Sequence, residues 1–421
     1  MSAREPPQYT PNHIFLLDHA GKLSTDDSEP MSGCGGVFPK QECGGRAKYR
    51  QRMLMGMIVV VFASLIVGGI GWRRGLKSDF LFAIHGPSMA PTLLGEHRIA
   101  SCVACGFDWP VTISDDDTPA VCFHCGDQAR VANSAHVASL VVVRPYEQER
   151  TGGSRADALR SGDVIAIGGQ EMLRIKRIAA VPGDIVDLNG VSLLVNGEPM
   201  AQRMSLQAEL KVPISVMRFE MDDRREISRW QGEGWKRSSQ RAWKSAARNW
   251  LIYHHRSIHE RNQASCVWDD YPYNVGLNRK LYPANRIVFT SKAVCQGQGL
   301  LEVVFWVGDR AVGITCEVEG KCELNISSDE AAAVQVAPVS AEAPVAIRVL
   351  AGSVQLSCLQ LGRQVEYRLR PHDDPACYPI ELGSDEYFVV GDNVPTSSDS
   401  RDFGVIEERT IKGRVELSES P

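Results

Sequence analysis

Residues 173–199 read LRIKRIAAVPGDIVDLNGVSLLVNGEP. Short apolar runs follow one another here, separated by Pro-Gly and Asn-Gly pairs. Such runs predict strands joined by tight turns, not helices. The same pattern recurs in DVIAIGG at 163–169, EYFVVGDN at 386–393 and IKGRVELS at 411–418. A second β-rich series, with RIVFTS, LLEVVFWVG, VGITCEV and VAIRVLAG, begins near residue 285 and has the spacing of an antiparallel sandwich. The fold class is therefore mainly β.

At 421 residues the chain exceeds one ordinary core, so more than one folded unit is expected. A net charge of −5 gives no sign of a nucleic-acid partner. Met53 to Trp72 carries no charge. At about 1.5 Å per residue it would span roughly the 30 Å hydrocarbon core, which predicts a single N-terminal transmembrane helix. Arg46, Lys48, Arg50 and Arg52 precede the run, while Arg73, Arg74 and Lys77 follow it. That balance weakly favours an internal N-terminus, which puts the rest of the chain on the exported side of the cytoplasmic membrane. Residues 1–52, polar and without periodicity, read as a disordered cytoplasmic tail. The Trp230, Trp235, Trp243 and Trp250 stretch lacks an amphipathic period, so its indoles are expected to pack inward.

Three stretches carry candidate chemistry. HGPSMAPTL at 85–93 holds Ser88, by itself a turn residue between two prolines. A serine hydroxyl needs a base to become a nucleophile, and no histidine sits in a triad context. Lys176 lies on an apolar strand. A lysine there normally faces water, but buried it loses its proton more readily and can act as a base near neutral pH. VVGDNVPTSSDSRDFGVI at 389–406 follows a strand with a Gly-Asp-Asn turn and a cluster of hydrogen-bonding groups.

In this order, behind an apolar run, the three stretches resemble type I signal peptidases, the membrane-bound Ser–Lys proteases of the S26 kind. Gly86, Ser88, Met89, Pro91, Thr92 and Leu93 match the nucleophile box. Ile175, Lys176, Arg177, Pro182, Gly183 and Asp184 match the lysine box. Gly391, Asp392, Asn393, Ser397, Asp399, Ser400, Arg401 and Gly404 match the last box. The resemblance implies Ser88 as nucleophile, Lys176 as general base, and Ser397 hydrogen-bonded to the lysine amine. It also implies an Asp399–Arg401 ion pair and an oxyanion hole using the Ser88 N–H. Some members add a serine hydroxyl where this chain has Gly86, and Val394-Pro395-Thr396 replaces the usual Arg-Asp-Asn. The implied activity is removal of signal peptides from exported preproteins at the membrane lipid surface, through an acyl-enzyme. A non-catalytic, membrane-anchored scaffold on the same fold is the alternative.

Cys102-x₂-Cys105 and Cys122-x₂-Cys125 have zinc-ribbon spacing, with glycine after each pair. Structural zinc is expected there and no catalytic cofactor; two disulfides or a reduced iron site are the alternatives. Cys266, Cys295, Cys316, Cys322, Cys358 and Cys377 are candidates for disulfides, Cys316 and Cys322 being the nearest local pair. The expected organisation is a catalytic domain in two parts, 73–200 and 384–421. A zinc ribbon at 101–127 interrupts the first part, and a β-sandwich-like domain at 201–383 separates the two.

Overall fold

The computed structural model describes residues 80–113, 119–136, 138–145, 159–168, 173–204, 210–216, 229–237, 242–246, 248–335 and 337–417. The expected tail and transmembrane helix lie outside these residues. No helix among the described residues is long and apolar enough to cross a membrane. They are mainly β, with α-helix confined to single turns at Met200–Arg203 and Ser400–Phe403.

The opening stretch folds as its turns dictate. Leu173–Ala180 is a strand, and Asp184 N–H donates to the Val181 carbonyl across Pro182-Gly183. Gly183 has φ +84°, so proline and glycine hold the two central positions of a type II turn. Ser192–Val195 then pairs with Glu198–Pro199 across Asn196-Gly197. Both loop residues have positive φ, as a type I′ hairpin requires.

Leu173–Ala180 is interior to a seven-stranded antiparallel sheet. The order is Phe80–Ala83, Leu140–Pro145, Ile411–Leu417, Val164–Gly168, Leu173–Ala180, Glu386–Val390 and Ile406–Glu407. Strands from both ends of the chain thus lie side by side, so the two halves of the sequence close one sheet. Phe82, Met89, Leu93, Val141, Ala166 and Ile175 form one core on it; Ile165, Ile178, Val389 and Ile411 contribute to another.

The second β series differs from two separate sheets. Hydrogen bonds join ten strands between Lys211 and Gln364 in one sheet. Its centre is the 21-residue strand Ile287–Val307, which pairs with Arg310–Ser327 on one side. On the other side it pairs with Val354–Gln364 and Val345–Ala351 in succession. Register shifts at Thr290/Lys292, Val294/Gln298 and Leu300/Leu301 bend this strand. Most of the sheet's buried apolar residues gather in one core, where Trp230, Trp235 and Trp243 are buried, while Val304 and Ala346 pack with Val339 in a smaller one. Trp250 is half-buried under the Arg348 guanidinium, 4.4 Å from the ring centroid. All ten described cysteines are free, so the expected Cys316–Cys322 disulfide is not formed. Both lie on one strand, Arg310–Ser327, packed separately into the edge of that core.

Candidate active site

The loop after Phe80–Ala83 carries Ser88. Ala90 N–H donates to the Pro87 carbonyl and Leu93 N–H to the Met89 carbonyl, forming a compact turn. Met89 and Leu93 are buried in the core beneath it, anchoring the loop on both sides of the serine. Gly86 has φ +74°, a region where a side chain is strained, which accounts for glycine there. Its backbone lies against Gly95, where an added Cβ would sit 2.4 Å from the Gly86 carbonyl oxygen.

Lys176 is 2% exposed, in the middle of its strand. Its Nζ donates to Ser88 Oγ at 3.0 Å. Burial disfavours the ammonium, and Arg174 and Arg401 add repulsion, while Asp399 and Asp392 partly oppose it. The result lowers Lys176 from 10.5 to about 8. The amine is thus available as a base near neutral pH and already touches the hydroxyl it would deprotonate.

The loop from Gly391 to Arg401 closes the site. Asn393 N–H donates to the Ser88 carbonyl at 2.9 Å, and its Nδ2 to the Pro87 carbonyl at 3.0 Å. A Cβ on Gly391 would lie 2.2 Å from Ser397 Oγ and 2.5 Å from the Ser88 carbonyl oxygen. No other residue fits between the two. Ser397 is fully buried beside the Ser88 loop, but its hydroxyl has no hydrogen-bond partner among the described residues. The expected bond to the lysine is therefore not made here: Lys176 Nζ is engaged with Ser88, and the Ser397 hydroxyl packs against Gly391.

Two buried ion pairs fix this loop. Arg401 donates from Nε and Nη2 to the Asp399 carboxylate, each at 2.8 Å. Burial would raise Asp399, but the Arg401 charge and hydrogen bonds, with Lys176 beyond, hold it down to about 2. Asp399 also accepts the Gly391 and Arg401 N–H groups, and Asp402 reciprocates in a capping box. The second pair joins Arg177 to Asp392 through two hydrogen bonds at 2.9 and 2.8 Å. Adjacent residues of one strand, Lys176 and Arg177, thus supply the candidate base and the clamp on the loop that faces it.

Three further groups carry no signal in the sequence. Tyr367 O–H donates to the Asp392 carboxylate and Tyr271 O–H to its carbonyl. Asn274 makes a reciprocal amide pair with Asn393, both bonds 2.8 Å long. All three come from the 201–383 segment. Only their distance along the chain hid them, since an isolated Asn or Tyr in a loop has no distinguishing pattern.

The four ribbon cysteines converge. Cys102 and Cys125 sulfurs are 3.4 Å apart, Cys105 and Cys122 3.7 Å, and all four lie within 4.8 Å of one another. Tetrahedral zinc with Zn–S near 2.3 Å needs sulfurs about 3.8 Å apart, so the set fits such an ion. The Gly106 and Gly126 N–H groups donate to the Cys102 and Cys122 carbonyls, closing both knuckles with positive φ at each glycine. The cluster can hold a metal ion. His372, Asp373 and Asp402 also lie close together, but both carboxylates already pair with Arg370.

The family model described as signal peptidase, peptidase S26 matches residues 54–238 and 360–418, more than half of the chain. The chain belongs to that family. The matched segments contain Ser88, Lys176 and the whole 391–401 loop, and they leave out Tyr271 and Asn274. No curated protein matches the chain.

Proposed function

We propose that this chain is a membrane-bound serine endopeptidase that removes signal peptides from exported preproteins. Membership of the signal peptidase family supports the reaction class. The observation that carries the mechanism is the 3.0 Å contact between Lys176 Nζ and Ser88 Oγ, on a lysine 2% exposed and lowered to about 8.

Neutral Lys176 takes the proton from Ser88 Oγ as the oxygen attacks the scissile carbonyl. The Ser88 N–H stabilises the oxyanion. Lys176 passes the proton to the leaving amine, and an acyl-enzyme remains. The lysine then removes a proton from water as the water attacks the ester, and returns it to the departing Ser88 Oγ, freeing the serine and the acid product. Ser397 holds the lysine amine once Ser88 has been acylated; its buried hydroxyl, without a partner among the described residues, supports this role.

The apolar run at 53–72 anchors the chain, and the site works on the exported side of the membrane, on preproteins with small residues before the cut. Zinc on Cys102, Cys105, Cys122 and Cys125 is structural. The ribbon it holds is tied to the large insert by hydrogen bonds from Arg229 to the Phe123 carbonyl and from Asn262 to the Cys125 carbonyl.

Cleavage of a preprotein by the full chain in detergent tests the reading. Ser88→Ala and Lys176→Ala should each abolish cleavage, and a serine-directed β-lactam should leave a covalent adduct on Ser88. Activity retained in both variants would sink it and favour the scaffold alternative. Metal analysis of the same preparation should find one zinc per chain, lost in Cys122→Ser.

A further inference from the structure

A cavity of about 460 Å³ lies where residues 269–282, the chain after Arg363, and Val394-Pro395 of the catalytic loop meet. This volume suits a small organic molecule. Its charges do not balance. Arg279 pairs with Asp269, Arg368 with Glu366, and Arg370 with Asp373. Arg363 and Lys280 have no carboxylate partner among the described residues.

Arg363 is the more telling of the two, because it is 1% exposed. Its Nη atoms donate to the carbonyls of Gln364, Asp269 and Asp270, while Nε has no partner among the described residues. Carbonyl oxygens satisfy hydrogen bonds but do not neutralise a buried cation, which is costly to leave uncompensated. Arg368, also buried, has a second unpartnered Nε. The cavity's aromatic groups sit under these cations. The Arg363 guanidinium lies 4.7 Å from the Tyr271 ring centroid, and Arg368 and Lys280 lie 4.9 and 5.0 Å from that of Tyr282.

We infer that this cavity binds an organic oxyanion, a phosphate or carboxylate head carried on an apolar or aromatic body. Guanidinium groups with free N–H donors suit such heads. The tyrosine faces, Leu369 and Pro371 suit the body. Neither the Ser88–Lys176 pair nor the cysteine cluster lines the cavity, so the site is separate from both.

Phenyl phosphate is the probe, titrated calorimetrically into the full chain in detergent at constant ionic strength. It should bind saturably, one per chain, whereas phenol should not bind. Exposed Lys280→Gln should weaken binding about tenfold, as loss of one charge-assisted contact does. Arg363→Met should abolish it and Arg363→Lys should retain part of it. Where Arg363→Met fails to fold, judged by its unfolding transition, Lys280→Gln decides. Binding should survive Ser88→Ala. No saturable binding, equal affinity in Lys280→Gln and wild type, or loss of binding in Ser88→Ala would each overturn the inference. Vesicles of phosphatidic acid, compared with phosphatidylcholine, then separate the sources. Displacement of the probe by phosphatidic acid alone assigns the site to a lipid headgroup, and its absence assigns it to a soluble ligand.

Discussion

The proposed chemistry rests on one displaced proton equilibrium, that of Lys176. Lowered from 10.5 to about 8 by burial, the amine is mostly protonated at neutral pH but accessible as a base. The rate of preprotein cleavage should therefore rise about tenfold per pH unit below 8 and level off above it. Stability follows in the same direction. Below about pH 8 both folded and unfolded chains hold the proton, and the folded state carries the full cost of a buried cation. Between about 8 and 10.5 only the unfolded chain still holds it, so stability rises with pH across that window. A kcat/KM profile with no inflection between pH 7 and 9 would remove Lys176 as the base. Ser88 and Lys176 were legible in the sequence because residue type, order and flanking turns carry their meaning. The free Ser397 hydroxyl was not, since residue type alone does not say which of two neighbours a lysine amine meets.

At the scale of elements, the strand Leu173–Ala180 and the loop that follows Val390 are held together by the Arg177–Asp392 pair. Both side chains are fully buried, so each charge depends on the other. Arg177→Met strands the carboxylate, and about 3–5 kcal/mol of stability should be lost, the usual cost of breaking a buried pair from one side. Adding Asp392→Asn removes the stranded charge and should restore most of that loss. Urea unfolding of the single and double variants measures both; an unchanged midpoint in Arg177→Met would show the pair to be dispensable. The strands around this pair were readable because Pro-Gly and Asn-Gly turns bound each run. The insert was harder. Its central strand continues through Gln296-Gly297-Gln298-Gly299, where polar residues and a shifted register look like a break between two strands. A long bent strand thus reads as the edges of two sheets.

For the whole molecule, the insert contacts the candidate site directly and is not an appendage. One segment, 268–275, faces three ways. The Tyr273 carbonyl accepts the Thr112 N–H and the Pro272 carbonyl the Trp109 indole of the four-cysteine ribbon, Tyr271 holds the Asp392 carbonyl, and Asn274 grips Asn393. This arrangement escapes sequence reasoning because Asn274 and Asn393 lie 119 residues apart, and neither amide advertises its partner. The pairing has a consequence for the nucleophile. Asn393 must present its Nδ2, not its Oδ1, to the Pro87 carbonyl, since two carbonyl oxygens would repel. Asn274 enforces that choice by accepting from Nδ2 and donating to Oδ1 at the same time. Asn274→Ala leaves the amide free to turn, and the Pro87–Ser88 backbone loses its fixed position relative to Lys176. The rate should fall by roughly 10²-fold, the scale on which small misplacements of reacting groups act. Because Asn274 does not touch Lys176, the midpoint of the pH profile should stay near 8. The unfolding midpoint should move less than in Arg177→Met, because no buried charge is stranded. Steady-state cleavage kinetics across pH, run beside the thermal transition, separate a positioning role from a merely structural one. Wild-type kcat in Asn274→Ala would mean that the catalytic sheet holds Ser88 without the insert's help.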